Sequence, residues 1–217
     1  MKNILAEAIH AADTDPIATR GPWVRAPGVT GQTTGKVQTL LSILAAHLPS
    51  NEAYLEVGIF QGATLIGALL DNLRVKAYAC DKFIGGAGAS GDDCRRIFKE
   101  NVARFENRLP KFTLYDADCF ELAQREKPFD LPIGVYFYDG FHSTESTQRG
   151  LVEFKRFFAK EVIIVIDDWN WECVRTGGLA GIHELKPRAI SDHSIRTEKV
   201  NSTLFFNGLG LFWLDFG

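Results

Sequence analysis

No apolar run in this 217-residue chain approaches the ~20 residues that a membrane span needs, and the short apolar stretch near the N-terminus is interrupted by Glu7. A membrane protein is not expected, and the expected location is the cytoplasm. Positive charge is neither abundant nor clustered. Twenty-four Lys and Arg stand against 27 Asp and Glu, giving a net charge of −3, and without a basic stripe a nucleic-acid partner is not expected. Cysteine is sparse: Cys80, Cys94, Cys119 and Cys173 form no C-x-x-C pair and no metal-ligand spacing, so they read as reduced, packed thiols. Internal repeats and low-complexity tracts are absent. What remains is a chain with 46% hydrophobic residues, enough for one large domain with a substantial core and a small-molecule partner.

Strand and helix signals alternate along that domain. A loop-rich cap over about the first 30 residues, with Pro16, Gly21, Pro22, Pro27 and Gly28, precedes a helix over 36–48, where Val37, Leu40, Leu41, Leu44 and Ala45 repeat at helical spacing. Strands are expected near 53–58, 75–81, 112–117, 133–138 and 162–166, with helices near 62–73, 92–106 and 144–158. Such alternation implies an α/β fold, a parallel sheet covered on both faces with right-handed crossovers. The tail differs: 193–199 and 208–214 read as two strands joined through Asn207-Gly208, an antiparallel edge pair. The apolar strand Leu209-Gly210-Leu211-Phe212-Trp213-Leu214 could be an interior strand or the contact of a homodimer.

The segment Tyr54-Leu55-Glu56-Val57-Gly58-Ile59-Phe60-Gln61-Gly62-Ala63-Thr64 runs from an apolar strand through a glycine-bearing turn into a helix. Gly58 permits a sharp turn, and Gly62 permits close approach of the helix that follows. Only two of the three glycines of a dinucleotide fingerprint are present. Glu56 stands where a pyrophosphate would meet a carboxylate, so the reading favours a cofactor without phosphates. Gly31-Gln32-Thr33-Thr34-Gly35-Lys36 fails the P-loop pattern, and the glycine-rich run 84–91 precedes no Lys-Ser or Lys-Thr. Neither supports an NTPase.

In an open α/β sheet, ligands bind at the carboxyl ends of the strands. Here the strand ends carry acids in succession: Glu56, Asp81, Asp116 with Asp118, Asp139, and Asp167 with Asp168. Acids at strand ends are often helix caps or turn formers. Asp81, however, lies 23 residues after Gly58, close to the offset of about 20 at which an acid holds ribose hydroxyls.

The ordered set Leu55-to-Gly62, Ala79-Cys80-Asp81, Tyr115-Asp116-Ala117-Asp118 and Tyr138-Asp139-Gly140-Phe141-His142 resembles class I S-adenosylmethionine-dependent methyltransferases. The resemblance implies a Rossmann-like fold with a seven-stranded, mostly parallel sheet. It implies S-adenosylmethionine bound by Glu56, Gly58, Phe60, Gly62, Asp81, Lys82, Asp118, Cys119 and Asp139. Of these, Glu56 and Gly58 would line the methionine and ribose side, Asp81 would hold the ribose hydroxyls, and Asp118 with Cys119 would lie near the adenine. Within that group the chain is similar to small O-methyltransferases related to the metal-dependent enzymes that methylate macrolide-type sugars. Asp139-Gly140-Phe141-His142 and Asp167-Asp168-Trp169-Asn170 carry that likeness. It implies a divalent cation on Asp139, Asp167 and Asp168, with His142 as general base.

Three converging carboxylates repel one another unless a cation or protons neutralise them, and hard oxygen ligands favour Mg²⁺, Mn²⁺ or Ca²⁺ over zinc. The bland alternative has Asp167 capping the next helix and Asp168 facing solvent. A neutral imidazole at His142 could accept a hydroxyl proton near neutrality, whereas Ser143 or Thr144 would cap the following helix better than the histidine. Trp169 and Trp171 could form an apolar wall for an acceptor or pack in the core, Phe60, Phe83 and Phe141 adjoin the proposed mouth, and Trp23 is a candidate lid residue. Three readings follow: a metal-assisted O-methyltransferase acting on a small-molecule hydroxyl, a metal-independent N- or O-methyltransferase, and a non-catalytic binding protein. A nicotinamide dehydrogenase fits poorly, since the third glycine is missing.

Overall fold

The computed structural model describes residues 1–14, 26, 28, 29, 31–199 and 201–217. The elements begin with α1 (Lys2–Thr14), α2 (Gly35–Ala46), β1 (Ala53–Val57), α3 (Ala63–Leu69), β2 (Lys76–Asp81), β3 (Gly85–Gly86), β4 (Ala89–Ser90) and α4 (Gly91–Arg104). They continue with β5 (Phe112–Asp116), α5 (Cys119–Ala123), β6 (Ile133–Tyr138), α6 (Thr144–Val152), β7 (Phe158–Ile166), α7 (Glu172–Leu185), β8 (Ala189–Ile195) and β9 (Leu209–Asp215).

Seven strands form one sheet in the order β5-β2-β1-β6-β7-β9-β8. The five from β5 to β7 run parallel, and β9 and β8 pair antiparallel at one side. This is the expected seven-stranded, mostly parallel sheet with its C-terminal antiparallel pair. All residues of β1 and β6 are buried, as a sheet covered on both faces requires. Within those continuous apolar runs the faces still alternate. Tyr54, Val135, Phe137, Ile163 and Val165 pack with Leu40 and Leu41 of α2 and Leu65 and Ile66 of α3. Leu55, Val57, Tyr136, Tyr138, Ile164 and Ile166 pack with Leu151 of α6 and Val174, Ile182 and Leu185 of α7.

Several expectations change. Part of the cap read as loop-rich is the helix α1, whose Leu5, Ala8 and Ala12 are buried; the Lys36 Nζ on α2 reaches the Asp13 carboxylate at 2.7 Å. Trp23, with Pro16, Gly21, Pro22 and Pro27, lies outside the described residues. The glycine-rich run 84–91 contains the two-stranded ribbon β3–β4. Helix α7 has no counterpart among the expected elements, because its Gly177, Gly178 and Gly181 break the apolar helical signature, although all three are buried. The first tail strand covers 189–195 rather than 193–199, an edge strand with mostly exposed residues and little apolar periodicity to mark its ends. The apolar strand β9 is interior, hydrogen-bonded to β7 on one side and β8 on the other, so it offers no free edge for a homodimer. No helix among the described residues is long and apolar enough to cross a membrane.

Candidate active site

The carboxyl ends of β2, β1 and β6 open into one cavity of about 370 Å³, within the range of small-molecule sites. Gly58, Phe60, Asp81, Lys82, Asp118, Cys119, Asp139 and His142 all line it. The backbone beyond the strand ends keeps the ladder spacing: the Gly58 amide donates to the Cys80 carbonyl at 2.9 Å and the Asp139 amide to the Val57 carbonyl at 2.8 Å. Gly58 has a φ of +84°, and a Cβ there would come within 1.8 Å of the Asp139 carbonyl oxygen. Only glycine satisfies both demands.

Asp81 organises the turn after β1. Its Oδ2 accepts from the Ile59 and Phe60 amides, each at 2.8 Å, and its Oδ1 accepts from the Phe83 amide at 2.6 Å. Oδ1 retains one acceptor position, since a carboxylate offers about four in all, so the residue can hold a ligand hydroxyl while it shapes the loop. Asp118 caps α5 through the Phe120 amide at 2.8 Å and pairs with the Lys82 ammonium at 2.7 Å. Burial alone would raise the Asp118 carboxyl; Lys82 and the backbone amides outweigh it and hold the group below the usual carboxylate range. Burial pushes the Cys119 thiol up to about 12, so it faces the cavity as a neutral, weakly polar wall.

Two residues expected to touch a cofactor do not line the cavity. Glu56 is fully enclosed, accepting from the Tyr54 hydroxyl and the Thr64 hydroxyl at 2.6 Å each. Burial raises its carboxyl to about 8, overriding those hydrogen bonds, so at neutral pH it is mostly protonated. It therefore presents no full charge to a pyrophosphate and does not by itself exclude a phosphate-bearing cofactor. Gly62, with φ +88°, initiates α3, and a Cβ there would meet the Phe98 ring at 2.7 Å. Its role is packing.

A charged cluster adjoins the cavity. His142 places Nε2 3.3 Å from Asp139 Oδ1 and 2.9 Å from Asp168 Oδ2, and these three side chains bring potential ligand atoms within 4.8 Å of one another. Burial would lower the imidazole, but the two carboxylates raise it to about 10, so it stands as an imidazolium between them. The ring expected to be neutral is thus held charged by its two acidic neighbours. Asp167 is not in the set: it is buried, and its Oδ1 accepts from the Asp168 amide at 2.9 Å. Burial first, then the neighbouring Asp139 and Asp168, push its carboxyl well above the usual range. Asp168 is buried rather than solvent-facing, with a φ of +54°. Ser143 caps α6 by accepting from the Ser146 amide, which leaves the preceding histidine free to face the acids.

The wider surroundings add further residues. Asn207, nearly fully buried, donates to Asp168 Oδ1 at 2.6 Å. Asn170 exchanges hydrogen bonds with Thr197, its amide nitrogen reaching the Thr197 hydroxyl at 2.7 Å and its oxygen accepting from the Thr197 amide at 3.2 Å. Only the Asn207-Gly208 turn signal hinted at the first of these. Trp169 is core, hydrogen-bonded through its indole to Ser194, whereas Trp171 is part-exposed and sits edge-on to the His142 ring at 4.8 Å. Phe141 is 68% exposed and lines the cavity together with Phe83 and the β3 glycines.

No protein-family model matches the chain, and no curated protein matches it. Solved structures do. The O-methyltransferase TomG from Streptomyces achromogenes, in complex with SAM and involved in tomaymycin synthesis, aligns at 15% identity over 99% of this chain and 90% of its own, with a TM-score of 0.60. An O-methyltransferase from Bacillus cereus in complex with SAH aligns at 15% identity over 98% and 91%, TM-score 0.55. A precorrin 8w decarboxylase from Methanobacterium thermoautotrophicum aligns at 17% identity over 88% and 96%, TM-score 0.55. At such identities the likeness establishes architecture, and a shared architecture does not fix a reaction. The chain has the Rossmann-like class I methyltransferase fold.

Proposed function

We propose that this protein is an S-adenosylmethionine-dependent methyltransferase that methylates a hydroxyl of a small molecule with the help of a divalent cation. The observation that carries the reading is continuity: the cavity lined by Gly58, Asp81, Asp118 and Cys119 also contains Asp139 and His142, which belong to the acidic cluster with Asp168. One wall suits a nucleoside; the adjoining cluster suits the group that receives its methyl.

The residues fit the cofactor. Asp81 retains an acceptor for a ribose hydroxyl, Gly58 lines the same cavity, and Asp81 and Asp139 favour a ligand with positive charge. When bound, S-adenosylmethionine supplies an electrophilic methyl group on a sulfonium. The residues also fit a cation: Asp139 and Asp168 would hold it through oxygen, with His142 beside them, and there it would lower the pKa of an acceptor hydroxyl. His142 cannot take a proton while it is the positive charge between two acids. It becomes a general base only when that charge is supplied otherwise, which couples its protonation to occupancy of the site. Phe141 and Trp171 supply an apolar rim for the body of the acceptor and help exclude water.

A metal-independent reading has its own support. The imidazolium already neutralises Asp139 and Asp168, so the cluster is electrostatically satisfied without an ion. Turnover of a panel of phenols, sugars and amines with S-adenosylmethionine, with and without excess EDTA, separates the two. Loss of methyl transfer in EDTA with recovery on added Mg²⁺ or Mn²⁺ supports the first reading. Full activity in EDTA supports the second. Absence of S-adenosylhomocysteine binding in calorimetry would overturn both.

A further inference from the structure

At the other end of β7 lies a second concavity, of about 560 Å³, lined by Lys155, Arg156, Lys160 and Lys186 over Phe158 and Phe216. We propose that this groove binds a polyanionic ligand with a planar ring, such as a ring bearing phosphate or sulfonate groups. The site is remote from the candidate active site. It begins where β7 starts at Phe158, whereas the acids follow the strand's last residue, Ile166, roughly 26 Å farther on at ~3.3 Å per residue.

Charge is the first support. The chain carries a net charge of −3, yet four basic side chains converge here with one acid, Glu153. That acid is already engaged, by Arg149 at 2.7 Å and by Gln124 at 3.2 Å. Lys155, Lys160 and Lys186 are exposed and form no ion pair among the described residues. Three ammonium groups without counter-charges raise the local potential, and lysine serves phosphate-type groups as a mobile point charge.

Backbone geometry is the second. Lys186 ends α7 with φ +49° and ψ +59°, the left-handed conformation that helix ends usually assign to glycine or asparagine. A long side chain occupies that position and lines the groove. Arg156 is anchored rather than free: its Nη2 donates to the carbonyls of Ala123 at 2.6 Å and Arg125 at 2.5 Å. Phe158 and Phe216 add aromatic surface to the lining, and the Phe216 amide is fixed to the Lys160 carbonyl at 2.8 Å, which ties that residue to the strand. Lys155 Nζ already sits 5.5 Å from the Phe216 ring centroid. The combination pairs a surface for a flat apolar body with cations for its substituents.

The test uses pyranine, a fluorescent planar trisulfonate, followed by anisotropy on the intact protein. Saturable one-to-one binding is expected, weakening when salt rises from about 50 to 200 mM, because ion-pair contacts are screened. The double substitution Lys155→Ala/Lys186→Ala should weaken it at least tenfold. Lys111→Ala/Lys127→Ala, which removes the same charge from exposed positions elsewhere, should leave it within about twofold, and saturating S-adenosylhomocysteine should not compete. No binding, equal losses in the two double variants, or displacement by S-adenosylhomocysteine would each overturn the assignment.

Discussion

The Asn207 side-chain amide donates to Asp168 Oδ1 at 2.6 Å while the other Asp168 oxygen faces His142 Nε2 at 2.9 Å. One carboxylate is thus clamped between a residue that precedes β9 and one that precedes α6. Asn207 is itself held, its Oδ1 accepting from the Asn201 amide at 2.7 Å. Asn207→Ala removes the clamp and leaves a buried carboxylate oxygen without its donor. The expected result is a stability loss of about 1–3 kcal/mol in urea unfolding. Mn²⁺ affinity should fall by about 10–100-fold, the usual effect of removing a group that orients a metal ligand. Unchanged Mn²⁺ affinity would dissociate the clamp from cation binding.

Between two acids His142 holds its proton to about pH 10, so a cation at Asp139 and Asp168 has to compete with that positive charge. Mn²⁺ binding at pH 7.5 should release close to one proton. Calorimetry in buffers of different ionisation enthalpy reads this directly, and His142→Gln should abolish the release. Binding without a proton would mean that the imidazolium stays in place.

Asp81→Ala removes both the acceptor for a ligand hydroxyl and the anchor of three backbone amides. S-adenosylhomocysteine binding should weaken by about 10–100-fold, the worth of one hydrogen bond to a charged group. Mn²⁺ binding should change far less. Equal losses for both ligands would show that the turn after β1, rather than the ribose contact, dominates.

Glu56 links stability to pH. Its carboxyl is raised to about 8 in the fold against an ordinary value of 4.5, so between these values the folded chain keeps a proton that the unfolded chain has lost. Its stabilising contribution is full below pH 4.5 and is lost as pH rises to about 8, at up to about 1.4 kcal/mol per pH unit. Glu56→Gln should flatten that slope between pH 5 and 8. Urea denaturation across the range checks it, and an unchanged slope would place the titration elsewhere.

Gly58→Ala should be the most damaging small change at the site. The added methyl meets a backbone carbonyl at 1.8 Å and must also adopt a positive φ. Overpacking and left-handed strain together suggest a loss of about 3 kcal/mol or more in stability. A variant that melts within a degree of the parent would refute this account of the turn.

Much of this was legible beforehand, and the pattern of what was not has physical reasons. The strands β1, β2, β6 and β7 announced themselves because buried parallel strands are continuous apolar runs. Asp81, Asp139 and His142 line one cavity because topology brings strand ends to one edge of the sheet, whatever the side-chain details. Glu56 and Gly62 lie outside that cavity for the converse reason: spacing tells which residues follow a strand, but the direction of a side chain at its end depends on what packs beneath it. Tyr54 and Thr64 capture Glu56. Asp167 and Asp168 are adjacent in the chain, yet only Asp168 joins the cluster, its backbone being turned to positive φ. The Asn207-Gly208 pair signals a turn but not the contact with Asp168, which spans 39 residues and depends on the loop between β8 and β9.

The contact between Gly58 and the Asp139 carbonyl has a thermodynamic corollary. The turn that would carry the nucleoside and the segment that would carry the cation meet backbone against backbone, with no side chain between them to absorb a shift. Were occupancy of one side to shift the other, reciprocity would require each ligand to alter the other's affinity by the same factor. Loading of the two halves would then be a single linked equilibrium, with a coupling energy that one thermodynamic cycle of four titrations would measure.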